Sequence, residues 1–215
     1  MDPHARDGYD RLTAIIPLAA RQQALPPAWR DAHRALLAGY AAHGRPPLRA
    51  ELAARPGIDD AGALLDRLAA DDLAVLDAAG EVAGAYPFTA EATAHLVTLD
   101  GVTVHAMCAV DALAVAAMLG AGTRVESTCV VSGRPVRVAL QGSTITACAP
   151  PTLEVGIHWA TPSGHTAHSL CRQMIFLADD ACAADWQAEA PDARRRYTPA
   201  QAVALGAAFF VPLLA

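Results

Sequence analysis

Residues 105–120 read HAMCAVDALAVAAMLG, an apolar, alanine-rich run interrupted by a thiol and a carboxyl, Cys108 and Asp111. The run stops at Gly120, the residue type that most often ends helices by turning left-handed. Read as a helix, it carries Cys108 in its first turn and Asp111 one turn on, and a spacing of three puts both side chains on one face. A polar pair in an apolar run is costly unless something uses it. Free amides and the helix dipole at such an N-terminus favour a thiolate, whereas an ionised Asp111 beside it works against one. A protonated Asp111 costs the thiolate nothing and can give up a proton. The pair therefore points to chemistry that needs a soft ligand and a proton donor together.

Around this run the chain has the length, 215 residues, for one sizeable core or two small ones. With 53% hydrophobic and 18% charged residues it is globular in composition, and its formal charge of -6 offers no basic field to phosphate backbones or anionic membranes. The opening MDPHARDGYD lacks the basic and apolar regions of a signal peptide, and no apolar run reaches the roughly 18–20 residues that cross a bilayer. A cytoplasmic protein with no nucleic-acid or membrane partner is expected. Its five cysteines, Cys108, Cys129, Cys148, Cys171 and Cys182, are odd in number, widely spaced and free of CxxC pairs. That pattern argues against both a disulfide framework and a zinc ribbon, and for reduced thiols.

Two parts are expected, divided between residues 98 and 99. In the first, PPAWRDAHRALLAGYAAHGRPP reads as a helix, LRAELAARPG as a second, and IDDAGALLDRLAADDL as a third with Asp59 or Asp60 as its N-cap. A hairpin about Gly80 follows, so that three helices precede a hairpin in the order of a winged helix. The third helix carries Asp59, Asp60, Asp66, Asp71 and Asp72 against a single Arg67, a face that a duplex would repel. TAEATAHLVTLDG reads as a linker. Beyond it the texture is β-rich: strands on either side of the Ser132–Pro135 turn, short strands broken by Pro150 and Pro151, and a further strand over HSLCRQMIFLAD, its Met174–Leu177 apolar enough for a buried central strand. Closing helices are expected near Trp186 and after Thr198. The fold class is thus α+β, a helical winged-helix-like module followed by a β-rich catalytic domain with closing helices.

CAVDALAVAAMLG, STCVVSGRPVRV and HSLCRQMIFLADDACAADW, in this order, resemble the alkylmercury lyase family, the organomercurial lyases. The similarity runs from about residue 30 onward, and its specific motifs lie between residues 105 and 186. The resemblance implies Cys108 and Cys171 as mercury-binding thiols, Asp111 as proton donor and further contact to the metal, and Cys129 as a supporting hairpin cysteine. It implies an organomercurial substrate, whose carbon–mercury bond is split by protonolysis to a hydrocarbon and Hg(II). Low-molecular-weight thiols would release that product, mercuric reductase would receive it, and no cofactor is required. The physical logic agrees, because Hg(II) is soft and thiolate is its preferred ligand class.

Two departures stand beside this resemblance. Met107 occupies a position that is often aromatic in the family, as does His105 nearby, and Arg172 stands where some members have a second distal cysteine. Other readings of the residues stay open. Cys108 alone could be a small core residue, His158, His165 and His168 could join Cys171 in an imidazole site, and Cys148 and Cys182 read as inert thiols. Trp186 reads as a packing anchor and ARRRY as a solvated charge run. Two alternative functions also remain: a noncatalytic thiol sensor of metal, and a family relative acting on a non-mercury substrate.

Overall fold

Helices form in the first third of the chain where a cap meets an apolar stripe. In the computed structural model, which describes residues 1–215, α1 (Pro3–Ile15) starts on Asp2, whose carboxylate accepts from the amides of His4 and Ala5. Short α2 (Leu18–Gln23) follows, then α3 (Pro27–His43), opened by Pro27 and closed by left-handed Gly44. The sequence reading assigns no element to residues 1–25. Their stripe is nevertheless buried at Leu12, Ile16, Leu18 and Leu25. After α4 (Arg49–Ala53), α5 (Ala61–Ala70) takes Asp60 rather than Asp59 as its cap.

Strands β1 (Val75–Leu76), β2 (Val82–Ala85), β3 (Phe88–Thr89), β4 (Leu96–Leu99) and β5 (Val102–Ala106) come next. The stretch expected as a linker holds β4, which pairs with β5 on one side and with the next long strand on the other. Its Val97 and Leu99 alternate inward while Leu96 and Thr98 are less buried, a period-two pattern too short to stand out beside threonines and an Asp-Gly turn. Then follow α6 (Ala109–Leu119), β6 (Gly122–Thr128), β7 (Pro135–Gln141), β8 (Thr144–Ala149) and β9 (Glu154–His158). The chain closes with β10 (Met174–Leu177), α7 (Asp180–Ala188), β11 (Arg194–Tyr197) and α8 (Pro199–Phe210).

Eight strands form one antiparallel sheet in the order β1-β2-β3-β5-β4-β6-β7-β8, and β10-β9-β11 form a second. Residues 98 and 99 both lie within β4, so this sheet contains strands from either side of them. ARRRY is not a solvated run: it is β11, paired with β9, and its Arg196 holds Glu154 and Asp180. Trp186 does anchor α7, lying with Leu177 and Ala183 in a small cluster against Gly156.

The apolar run becomes the centre of the molecule. Helix α6 is buried on every side from Ala109 to Ala116, as an amphipathic surface helix is not. It packs against β5, β6 and β7 of the large sheet, β10 of the small one, and α8. Helix α8 approaches so closely that a Cβ on Gly206 would lie 2.9 Å from Cβ of Ala114 and 3.2 Å from the carbonyl oxygen of Val110. No helix is long and apolar enough to cross a membrane.

Candidate active site

Cys108 is the N-cap of α6. Its backbone is extended, and its sulfur accepts the Asp111 amide at 3.3 Å, the bond that a serine or aspartate oxygen makes at most helix starts. The cap sets Cys108 and Asp111 on the same side of the first turn, as the spacing of three requires. Cys171 reaches them from the opposite direction, out of a tight 3₁₀ turn, Cys171–Gln173, that immediately precedes β10. The strand expected over HSLCRQMIFLAD is therefore extended only from Met174, and the turn before it aims the thiol inward. Ligand atoms of Cys108, Asp111 and Cys171 all lie within 4.8 Å of one another. Met174 adds a second kind of soft sulfur, its Sδ lying 3.6 Å from Sγ of Cys108.

The centre is dry and holds its protons. Cys108 is fully buried, and burial, the neighbouring Cys171 thiol and the Asp111 carboxyl push its thiol well above the usual range. For Cys171 the hydrogen bond with Cys108 works downward, but burial and the Asp111 carboxyl together leave its thiol raised. Burial pushes the Asp111 carboxyl up to about 7, against hydrogen bonds with Cys108 that favour its ionised form. One of its oxygens, Oδ2, is buried with no hydrogen-bond partner. An acid that holds its proton up to about pH 7, with a free oxygen beside two thiols, is chemically able to donate one.

Space beside the centre is scant. A cavity of about 10 Å³ lies between Asp111 and Cys171, bounded by Leu12 of α1, Ile16 at its C-terminal cap, Tyr86, Thr166, Met174, Phe209 and Phe210. It is at the lower limit for one water molecule. The segment from Trp159 to Leu170 closes one side of it through Thr166 and is fastened by Asp72, a residue that the sequence pattern marks only as part of an acidic face. Its carboxylate accepts from the Thr166 hydroxyl at 2.6 Å, the Thr166 amide at 3.2 Å and the Tyr86 hydroxyl at 3.0 Å, and pairs with His165 at 3.0 Å. Tyr86 in turn accepts the Ala167 amide at 2.7 Å. Asp72 takes a positive φ of 53°, which aspartate tolerates better than most residues, and this is the one local hint of its role.

The histidines do not join this centre. His158 bonds Gln173, His165 pairs with Asp72, and His168 faces Glu91 at 3.5 Å. His105 accepts the Thr93 amide at 3.1 Å. Met107 and Arg172, the residues on the outer sides of the two thiols, line a separate cavity of about 230 Å³.

Two buried thiols with an acid between helix and turn make a centre suited to a soft, thiophilic ion, set in a mixed helix-and-sheet fold. The sequence profile of the alkylmercury lyases matches residues 88–211. An alkylmercury lyase of Streptomyces lividans is 28% identical over 191 residues, covering 89% of this chain and 86% of that one. One from Bacillus cereus is 29% identical over 116 residues, 54% of this chain and 53% of that protein. The crystal structure of the mercury-bound form of MerB2 shares the fold, with a TM-score of 0.74 at 20% identity over 92% of this chain and 98% of that one. The chain belongs to the alkylmercury lyase family and is an enzyme of the carbon–mercury lyase type.

Proposed function

We propose that the protein splits the carbon–mercury bond of an organomercurial by protonolysis at Cys108, Asp111 and Cys171. The observation that carries this reading is the convergence of two buried thiols and a raised, half-unsatisfied carboxyl within 4.8 Å. The substrate R–Hg⁺ binds one thiol as its sulfur loses a proton. The second thiol then adds its sulfur to the metal, raising electron density there and weakening the bond to carbon. Asp111 relays one of the displaced protons to the departing carbon. In balance, two thiols and R–Hg⁺ give R–H, a dithiolate-bound Hg(II) and one proton. No metal changes oxidation state, and no resident cofactor enters the scheme. Low-molecular-weight thiols would carry the Hg(II) away, to a mercuric reductase as the next step.

The cavity beside the acid is too small for R–Hg⁺, so admission requires its walls to part. We read residues 1–98 as a winged-helix-like cover over a catalytic part, residues 99–215. In support, α1 and its C-terminal cap supply Leu12 and Ile16 to the cavity wall, and Asp72 at the end of α5 fastens the segment carrying Thr166. The acidic α5 favours this covering role over contact with nucleic acid. We place the protein in the cytoplasm, where its five free cysteines stay reduced.

The test is hydrocarbon in the headspace, methane from methylmercury and benzene from phenylmercury, measured in excess thiol. Wild type should release it, Cys108→Ala and Cys171→Ala should not, and Asp111→Ala should be strongly slowed. Stoichiometric mercury binding by wild type without any hydrocarbon would overturn the reading and leave a thiol receptor for metal.

A further inference from the structure

We propose that the open cleft between α1, α2, α5 and the 159–166 stretch is the docking site of a thiol carrier, a low-molecular-weight thiol bearing carboxylates that brings the organomercurial in as its mercury adduct. The proposal rests on the lyase reading and names the form in which the substrate of that centre arrives. A soft R–Hg⁺ ion among reduced thiols is bound to sulfur before it meets the protein. The species to be recognised is then R–Hg–S–R′. Its carrier half R′ bears the charge, and so offers a protein more to hold than a plain alkyl or aryl group does.

The cleft has the size and the charge for R′. Its volume is about 930 Å³, within the roughly 300–1,000 Å³ of sites that enclose a small organic molecule. Arg11, Arg21 and His165 line it together with one carboxylate, Asp72, and Trp159 adds an aromatic residue to its wall. The Asp72 carboxylate is already taken up by the Tyr86 and Thr166 hydroxyls, the Thr166 amide and His165. Arg11 pairs with Asp7 at 2.8 Å, whereas Arg21 is half-buried and held only by a backbone carbonyl, that of Asp71 at 2.9 Å. The Asp71 carboxylate itself goes to Arg67. Arg21 is thus a guanidinium with N–H groups to spare and no acid to neutralise it, and such a group takes a carboxylate through two parallel hydrogen bonds.

Position ties the cleft to the chemistry. Thr166 lines both the cleft and the small cavity at Asp111 and Cys171, and Ile15 lines the first where its neighbour Ile16 lines the second. The cleft therefore lies one wall away from the buried thiols. When that wall parts, Cys108 or Cys171 takes the metal by exchange. Its S–H proton passes to the carrier sulfur, the carrier sulfur–mercury bond breaks, a protein sulfur–mercury bond forms, and nothing is oxidised or reduced. The cavity lined by Met107 and Arg172 fits a carrier less well. At about 230 Å³ it falls below the usual size of a ligand site, and Glu91 shares its wall with Arg172.

The binding probe is S-methylglutathione, which bears carboxylates and has no free thiol, and the readout is a chemical-shift titration of the ¹⁵N-labelled protein with no mercury present. Shifts should saturate and centre on residues 159–166, with residues 91–93 at the other cavity unmoved. Arg21→Gln keeps a donor for the Asp71 carbonyl and should weaken binding about tenfold; Arg11→Gln should weaken it less, because Arg11 is already paired. For turnover, phenylmercury is presented as its glutathione adduct and as its 2-mercaptoethanol adduct, and the ratio of kcat/KM between the two should fall about tenfold in Arg21→Gln. The proposal is overturned if wild type gives no saturable shifts, if they centre elsewhere, or if Arg21→Gln leaves either the binding or the ratio unchanged. Benzene from both adducts without S-methylglutathione binding would overturn this proposal and leave the lyase reading standing. Saturable binding with benzene from neither adduct would instead overturn the lyase reading.

Discussion

The thiols at the two ends of β10 differ in everything except their sulfurs. At one end Cys108 and Cys171 are sealed among apolar side chains with Asp111 as their polar neighbour, and all three groups hold protons more tightly than in water. At the other end Cys129 is buried and Cys182 half-buried, the turn after Cys129 is tied to the start of α7 by an Arg134–Asp179 ion pair, and the Ser132 amide bonds the Cys129 sulfur. The buried pair adds a stored proton and a place without water, which is what cleavage of a bond to carbon demands and mere retention does not.

The comparison breaks first at the buried cysteines. Changing Cys108 or Cys171 to alanine should abolish hydrocarbon release, whereas Cys182→Ser should barely alter it; equal losses would erase the distinction. Next comes the acid. Asp111→Asn should slow release by about 10²–10⁴-fold, the usual weight of a positioned proton donor. In wild type the acid form is the one required, so the rate should hold below about pH 7 and fall about tenfold per unit above it. A flat profile between pH 6 and 9 would remove Asp111 as donor.

The same carboxyl makes a prediction about stability. Folded Asp111 keeps its proton to about pH 7, while the unfolded chain loses it near 3.8. The native state is therefore penalised progressively as pH rises between those values, by about 4 kcal/mol once both are passed. Asp111→Asn should raise the melting temperature more at pH 8 than at pH 5, and an equal gain at both would contradict the burial argument. A smaller effect separates the thiols at the two ends by access: iodoacetamide should modify Cys182 at least about tenfold faster than Cys108 or Cys171, read by peptide mass mapping. Smallest is the fastening of the segment carrying Thr166. Asp72→Asn weakens several charge-assisted hydrogen bonds and should cost about 1–3 kcal/mol in thermal unfolding, with faster alkylation of Cys171 as its local sign. Unchanged alkylation would mean that the segment is held by its packing and not by Asp72.

Much of the catalytic centre is legible in the sequence. The Cys108–Asp111 spacing, the Gly120 stop and the apolar run between them are local features, and α6 forms with Cys108 at its cap as that pattern implies. The element order around it is largely legible too, including the Gly80 hairpin, the strands on either side of the 132–135 turn and the Thr198 cap of α8. Where sequence and structure part, the signal is weak or nonlocal. Strand β4 is only four residues long and reads as a linker, and three arginines in β11 hide a strand whose pairing with β9 and ion pairs offset the charge.

What the sequence by itself determined is therefore the chemistry within one helical turn, a thiol and an acid on one face, since side chains three residues apart meet whatever the rest of the chain does. That Cys171 arrives within 4.8 Å of them and that Asp72 fastens the segment carrying Thr166 were decided by the tertiary structure alone. The reason is physical: those meetings depend on strand pairing and helix packing between distant segments, and no local pattern of residues carries the register in which distant segments join.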